Sequence, residues 1–160
     1  MSVRIEPASA DDVGEIALVL LKAFSEFQPL YTPAAFRATT PNADEIAQRL
    51  SEGPTWIARD GDNAVGTVSA LDRGDEVYIR SMAVIPVARG RGIGRQLLEA
   101  VQVFAAGVGA RQLSLTTTPF LDGAIRLYEN AGFQHSPESL ELHGTPLFAM
   151  VKPLPPAAKP

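Results

Sequence analysis

The sequence predicts an α+β fold in which N-terminal helices precede a three-stranded meander and a β-α-β-α-β-β run. Three observations support this prediction. Apolar residues recur at helical spacing in residues 11–27 and 92–108. Three runs rich in strand-forming residues, at 55–59, 64–71 and 76–84, are separated by short turns, which is the pattern of an antiparallel meander. Strand-like and helical segments then alternate toward the C-terminus.

The first fifty residues alternate between regular segments and segments broken by proline. Ser9 and the acidic pair Asp11-Asp12 stand where a helix N-terminus favours capping oxygens and negative charge. Prolines at 29, 33 and 41 exclude a single helix across residues 28–41. The predicted elements of this half are, in chain order, a strand at 3–7, a helix at 11–27, a short helical turn at 34–38, and a helix from Asn42 or Asp44 to 52.

Turn residues mark the element boundaries in the rest of the chain. The tetrad Asp60-Gly61-Asp62-Asn63 is a hairpin signal between the first two strands of the meander. The elements predicted after the meander are a helix at 92–108, a strand at 112–118, a helix at 122–131, a strand that begins at 133 and a last strand at 146–152. We therefore expect a single domain over residues 1–152, followed by a disordered tail at 153–160.

Composition and charge argue against several function classes. The chain has 160 residues, 46% of them hydrophobic, and a formal charge of −4, which argues against a general nucleic-acid-binding surface. It contains no cysteine, which excludes disulfides, thiolate metal sites and a cysteine nucleophile. Two histidines without an HExxH pattern argue against a histidine-based metal site. No signal-peptide region or membrane-spanning apolar run is found, so we expect a soluble, cytoplasmic protein without a membrane partner.

The most informative segment is a strand that leads, through a short proline-containing break, into a turn rich in glycine and arginine. The turn opens a helix and consists of Arg89, Gly90, Arg91, Gly92, Ile93, Gly94 and Arg95. Glycines let the backbone approach a ligand closely, and the free amides of a helix N-terminus attract anions. Arginines can add charge-assisted hydrogen bonds. The turn has the chemistry of a polyphosphate cradle, and the alternative is a tight strand-to-helix connection without a ligand.

Two other phosphate-binding motifs do not fit this turn. A Walker A loop requires Lys and then Ser or Thr after its last glycine, whereas Gly94 is followed by Arg95 and Gln96. A GxGxxG dinucleotide fingerprint would need a glycine at position 95 or 97, and these are Arg95 and Leu97. An ATP-binding protein that uses the same turn is therefore a weaker alternative.

The residues in and after the turn resemble the signature of the GNAT superfamily of acyl-CoA-dependent N-acetyltransferases. The core of that signature, Arg/Gln-x-x-Gly-x-Gly/Ala, is matched by Arg89, Gly92 and Gly94. A second segment, AIRLYENAGF at 124–133, is similar to the A-x-x-L-Y-x-x-x-G-F helix of the same family. The two motifs occur in the family's order, so the resemblance covers nearly the whole chain. It implies a mixed, mostly antiparallel central sheet with helices on both faces.

The resemblance also implies acetyl-CoA as the acyl donor, without a metal. The backbone amides of Arg89 to Arg95 would bind the CoA pyrophosphate. The preceding strand would pair with the pantetheine arm through Met82, Ala83 and Val84, because pantetheine carries amides and can act as a partial β-strand. The strand at 112–118 is expected to splay from the strand at 76–84 and so open a slot for this arm.

Tyr128 is the candidate general acid that the resemblance implies. A phenol with a pKa of roughly 10 is protonated at neutral pH and can donate to the CoA sulfur. The alternative is a tyrosine that only packs its helix against the sheet. A backbone amide near Ala83 would stabilise the thioester carbonyl oxygen.

The general base is less clear from the sequence. The family often carries a Glu four residues before the valine that ends the strand, and here that position is Arg80. Glu76 would either deprotonate the amine through a water or pair with Arg80, and Arg80 could instead bind a carboxylate on the substrate. Strand alternation is expected to place five residues on one face: Glu76, Tyr78, Arg80, Met82 and Val84.

The acceptor site is the least determined part. Phe27 and Tyr31 lie in the segment that borders this site in the family, where they either line the pocket or pack. Leu121 departs from a family Asn that contacts the cofactor, and Asp122 could cap the following helix. We expect a small-molecule or protein amine, attacked directly in a ternary complex, and the acidic balance favours a cationic one. The alternative function is a non-catalytic acyl-CoA-binding sensor or structural module. As to oligomeric state, a homodimer through the C-terminal edge strand is left open.

Overall fold

The computed structural model describes residues 2–156 of the chain. Their strands and α-helices are, in chain order, β1 Val3–Pro7, α1 Val13–Phe24, α2 Pro33–Thr39, α3 Ala43–Glu52, β2 Thr55–Asp60, β3 Asn63–Asp72, β4 Glu76–Val84, α4 Ile93–Gly107, β5 Gln112–Thr117, α5 Asp122–Asn130, β6 Gln134–Leu142 and β7 Thr145–Pro153. None of the described helices is both long enough and apolar enough to cross a lipid bilayer.

The strands form one seven-stranded sheet in the order β1-β2-β3-β4-β5-β7-β6. Every neighbouring pair is antiparallel except β4 and β5, which are parallel. The predicted meander is β2-β3-β4. The last strand, β7, inserts between β5 and β6, which leaves β6 at the edge of the sheet. The predicted α+β class and the mostly antiparallel sheet are confirmed.

Helices cover both faces of the sheet, and each face has its own hydrophobic core. On one face, Leu97 of α4 and Ile79 of β4 belong to a core that also includes buried residues of β3 and β5. On the other face, Leu20 of α1 and Ile46 of α3 belong to a core with Ile57 of β2. The sheet is therefore buried on both sides over its central strands, and a cavity at its centre must open between strands or at their ends.

The first helix is shorter than the predicted helix at 11–27. The α-helix ends at Phe24, and a 3-10 segment follows over Ser25–Leu30. Pro29 accounts for this change, because proline has no amide to donate and disfavours the α conformation in the residue before it. The tighter turn redirects the chain before Tyr31, which is buried with 8% of its surface exposed.

A bulge in β4 breaks the expected alternation of its side chains. Ser69 of β3 pairs with Arg80 and Thr67 pairs with Ala83, so two residues of β4 oppose one residue of β3. Ser81 has a φ of +57°, which is the bulge conformation. As a result, Ile79 packs in the core on the α4 side, whereas Ala83 packs on the side of α1 and α3. The prediction that residues 76, 78, 80, 82 and 84 share one face is wrong, because the bulge inverts the alternation after Arg80.

The C-terminal segment is ordered further than the sequence suggested. β7 includes Pro153, and the amide of Leu154 donates to the carbonyl of Arg111 at 2.8 Å. Leu154 also packs against the core on the α4 side of the sheet. The expected disordered tail at 153–160 therefore begins too early, and its residues 157–160 lie outside the described part of the chain.

Gly53, which follows the last residue of α3, is a position where any side chain is expected to destabilise the fold. A Cβ at this position would lie 2.2 Å from the carbonyl oxygen of Ala70, although the backbone itself is extended. We expect Gly53→Ala to lower the free energy of unfolding by about 2 kcal/mol or more, because backbone must move, and the melting temperature to fall by about 4–8 °C. Thermal unfolding of purified protein measures this.

Gly14 provides the matched control for that substitution. It lies in α1, and a Cβ there would meet no atom within 4 Å. Gly14→Ala should leave stability unchanged or raise it by up to about 1 kcal/mol, because alanine favours the helix. Equal melting temperatures for the two variants would contradict the steric explanation at Gly53.

Candidate active site

The central cavity of the protein opens where β4 and β5 separate. Their pairing covers only three residues of each strand and ends with Tyr78 opposite Ser114. Beyond this point a cavity of about 750 Å³ lies between the strands. The Tyr78 hydroxyl lies 2.8 Å from Thr116 Oγ1, so it bridges the two strands at the point of separation. The expected splaying of these strands is confirmed.

The cavity joins the glycine- and arginine-rich loop to a wall of aromatic and apolar side chains. Besides β4 and β5, its lining includes residues of the first helical segment, α3, the loop before α4, α5 and the last two strands. Representative lining residues are Phe24, Phe27, Tyr31, Arg49, Gly92, Arg95, Leu127, Tyr128, Leu142 and Leu147. Its volume lies within the range of small-molecule and cofactor sites.

The loop between β4 and α4 presents free backbone amides at one end of the cavity. Gly90 and Gly92 have φ angles of +80° and +77°, a region that glycine adopts without strain. The amide of Gln96 donates to the carbonyl of Gly92, and this is the first hydrogen bond of α4. The amides of residues 93–95 lie before it and have no acceptor within the helix. Ile93 is buried and anchors the first turn of α4 in the core. This end of the cavity can therefore bind an anion.

The three arginines of the loop have different roles. Arg89 donates to the carbonyls of Val84 and Ala23 and forms an ion pair with Glu26, so it ties the loop to β4 and α1. Arg91 forms an ion pair with Asp60 at 3.0 Å and does not line the main cavity. Arg95 lines the cavity, and within the described residues its guanidinium has no ion-pair partner. Arg89 lines the cavity as well, although its guanidinium is engaged with protein groups. The expectation that all three contact phosphate is therefore best supported for Arg95 and not supported for Arg91.

The third glycine of the motif serves helix packing. A Cβ on Gly94 would lie 2.8 Å from Leu127 Cδ2 of α5. Its absence lets α4 approach α5 closely. Since α5 carries Tyr128 one residue further on, this contact also helps to position that side chain.

The backbone of β4 offers a donor to the cavity. Ile85 donates its amide to the carbonyl of Val65 in β3 at 2.9 Å. Because successive amides of a strand point to opposite sides, the amide of Ala83 also faces β3 and that of Val84 faces the open side. Met82 and Ala83 line the cavity as well. Because the Ala83 amide faces β3, the candidate for the predicted amide donor is the neighbouring amide of Val84. A ligand with amides of its own, such as pantetheine, fits this edge.

Tyr128 is buried against the cavity. Its side chain is 5% exposed, and its ring contacts Phe133 edge to face at a centroid distance of 5.7 Å. Burial, and secondarily the neighbouring Tyr78, raise the pKa of Tyr128. The phenol is therefore protonated at neutral pH and can act as a proton donor.

Glu76 does not belong to the site. It lies at the start of β4, where the strands are still paired, and does not line the cavity. Its carboxylate accepts a hydrogen bond from Gln112 at 3.4 Å. Neither a base role nor a pair with Arg80 is supported, because Arg80 forms its ion pair with Glu52. The sequence did not reveal this because Glu76 lies before the point at which β4 and β5 separate.

The predicted acceptor residues Arg80, Phe27 and Tyr31 all line the cavity, together with Leu121 and with Arg49, which was not predicted as a site residue. Arg49 of α3 is the missed residue, and nothing in its local sequence distinguishes it from an ordinary helix-surface arginine. Leu121 lines the cavity but precedes α5 without a side-chain cap. Asp122 is the first residue of α5 and not its cap, contrary to the expectation.

Comparison with known proteins agrees with this geometry. The model of the acetyltransferase (GNAT) family matches residues 20–133. N-acetyltransferase 8F1 of Rattus norvegicus is 32% identical over 124 residues, which cover 73% of this chain and 56% of the rat protein. The chain thus spans about half the length of that relative. The uncharacterized N-acetyltransferase YjgM of Escherichia coli K12 is 29% identical over 126 residues, or 75% of either chain.

A solved structure shows the same fold. The PaiA N-acetyltransferase of Thermoplasma acidophilum, crystallised in complex with coenzyme A, superimposes with a TM-score of 0.83 over 96% of this chain and 100% of that protein. At 15% identity this likeness concerns the fold alone. The family match covers the loop, the splayed strands and the Tyr128 helix. The chain therefore belongs to the GNAT acetyltransferase family.

Proposed function

We propose that this protein transfers an acetyl group from acetyl-CoA to a primary amine, which attacks directly while both substrates are bound. The observation that carries the proposal is the single cavity that joins the amide-rich loop to the buried phenol of Tyr128. The chain has no cysteine, so no cysteine-linked acyl-enzyme can form. The acceptor is a small-molecule or a protein amine.

Each part of the cavity wall has a role in this proposal. When bound, acetyl-CoA supplies the activated thioester. The amides of residues 90–95 and the Arg95 guanidinium bind its pyrophosphate. The Val84 amide and the bulged segment at Ser81 and Met82 orient the pantetheine arm and polarise the carbonyl. Tyr128 Oη holds the proton that the departing sulfur requires.

Calorimetric titration with acetyl-CoA, with ATP as the comparison ligand, is the first test. Micromolar binding of acetyl-CoA with little binding of ATP is the expected result. A panel of amines is then screened by release of CoA thiol. Absence of acetyl-CoA binding would exclude the proposal, and tighter binding of ATP would favour a nucleotide-binding protein.

A non-catalytic acyl-CoA-binding module is the second candidate, and one observation favours it. Among the described residues that line the cavity, none is Asp, Glu, His or Lys, so no conventional base faces the acceptor. An active enzyme would depend on amine that arrives already deprotonated. Its rate would therefore increase with pH up to the pKa of the acceptor amine, whereas the non-catalytic module binds acetyl-CoA and turns over no amine at any pH.

A further inference from the structure

Two arginines from different elements line the part of the cavity away from the glycine-rich loop. Arg49 extends from α3, and Arg80 lies on β4 immediately before the bulge. α3 begins with a capping box in which Asn42 and Glu45 bond reciprocally, and this fixes the helix that carries Arg49. The bulge turns Ser81 toward α3, where its hydroxyl accepts a hydrogen bond from the Arg49 guanidinium.

The positive charge of this pair is only partly neutralised. Arg80 forms an ion pair with Glu52 at 2.8 Å, whereas Arg49 has the neutral Ser81 as its hydrogen-bond partner. Burial, and after it the charge of Arg80, lower the pKa of Arg49, so the two guanidiniums disfavour each other. Arg80 Nε is buried, and no atom of the described residues accepts a hydrogen bond from it. An added anion would relieve the repulsion and satisfy this donor.

The surroundings indicate which anion fits. No carboxylate lines the cavity within the described residues, so its wall is cationic although the whole chain carries a charge of −4. Phe24, Phe27 and Tyr31 form an aromatic wall of the same cavity. Tyr78 and Tyr128 line the same cavity as the two arginines, and the Tyr78 hydroxyl is bonded to Thr116 Oγ1. The expectation of a cationic acceptor, drawn from overall charge, does not agree with this local wall.

We propose that the acceptor is a free α-amino acid whose carboxylate binds to Arg49 and Arg80. This inference rests on the proposed acetyltransferase function and names its substrate class. An α-amino acid carries its amine close to its carboxylate, so a carboxylate held by the two arginines keeps the amine inside the cavity that Tyr128 also lines. The apolar side chain of the amino acid then contacts the aromatic wall of Phe24, Phe27 and Tyr31.

The test compares acids with their own amides. L-Phenylalanine, L-leucine and L-methionine are assayed with acetyl-CoA beside phenylalaninamide, leucinamide and methioninamide, by release of CoA thiol. The wild-type protein should prefer at least one acid by about tenfold or more in kcat/KM, because guanidinium–carboxylate pairs form bidentate hydrogen bonds that the neutral amide lacks. Arg80→Gln should remove that preference by raising KM for the acid and leaving the amide unaffected.

Control variants separate a binding role from a folding role. Arg37 of α2 is exposed and does not line the cavity, so Arg37→Gln should keep the preference for the acid. Arg49→Gln provides a second variant if Arg80→Gln proves unfolded by circular dichroism. Calorimetric binding of the corresponding N-acetyl amino acids to the CoA complex gives a readout that needs no turnover, and Arg80→Gln should weaken it by about tenfold or more.

The outcomes distinguish this inference from the proposed function. Turnover of the amides as fast as of the amino acids would overturn the carboxylate site and leave the acetyltransferase proposal intact. Arg80-dependent binding of an N-acetyl amino acid without turnover of any amine would support the carboxylate site and overturn the proposed function. Turnover of other amines without binding of any tested N-acetyl amino acid would overturn the inference alone, and absence of both would overturn both.

Discussion

Gly92→Val is expected to abolish measurable binding of acetyl-CoA, with a loss of affinity of about 100-fold or more, which corresponds to about 2.7 kcal/mol. Gly92 lines the cavity at the N-terminus of α4, and a Cβ there would lie in ordinary van der Waals contact with the Arg95 guanidinium, at 3.7 Å. A branched side chain would occupy the space in front of the free amides. It would also strain the backbone, whose φ is +77°.

A second glycine separates these two effects. Gly109 has a φ of +75° just beyond the C-terminus of α4, and no atom lies within 4 Å of its Cβ position. Gly109→Val therefore carries similar backbone strain, about 1–2 kcal/mol, but leaves the cavity unchanged. Both variants should melt a few degrees below the wild type, and only Gly92→Val should lose acetyl-CoA binding in calorimetry. Normal acetyl-CoA affinity in a folded Gly92→Val protein would contradict the anion-binding role of the loop.

The parts of the fold that the sequence predicts are those set by local pattern. Helical spacing located α4, and the hairpin signal at residues 60–63 located the junction of β2 and β3. The bulge at Ser81 is different, because one extra residue changes no composition and breaks no hydrophobic pattern until its partner strand is known. The insertion of β7 between β5 and β6 likewise depends on pairing between residues distant in sequence.

The same distinction holds within the candidate site. The glycines of the loop were identifiable because a positive φ demands this residue type at Gly90 and Gly92. The partners of the arginines were not identifiable, because Arg91 pairs with Asp60 of β2 and Arg89 reaches Glu26 after α1. The number of arginines near an anion-binding motif therefore overstates how many of them contact the anion, since some of them hold the loop to neighbouring elements.

Tyr128→Phe is expected to lower kcat by about 10²- to 10⁴-fold while the affinity for acetyl-CoA stays the same. The substitution removes only the hydroxyl, and the edge-to-face contact with Phe133 persists. Tyr78→Phe is the comparison, because the Tyr78 hydroxyl is already engaged with Thr116 Oγ1 at 2.8 Å. We expect a reduction of less than about tenfold for Tyr78→Phe, since it would lose a positioning contact and not the proton donor. Equal rates for Tyr128→Phe and the wild type would remove Tyr128 from the acid role.

The pH dependence of kcat provides an independent check of the same role. Burial raises the pKa of Tyr128 above its ordinary value of 10.0, so the acid form persists across the range in which the acceptor amine loses its proton. The rate of the wild type should therefore increase with pH and show no descending limb below about pH 10. A descending limb near pH 8 that disappears in Tyr128→Phe would mean that the phenol ionises more readily than tyrosine in water, whose pKa is about 10. Such a result would contradict the buried environment that makes Tyr128 a donor at the pH where the amine is reactive.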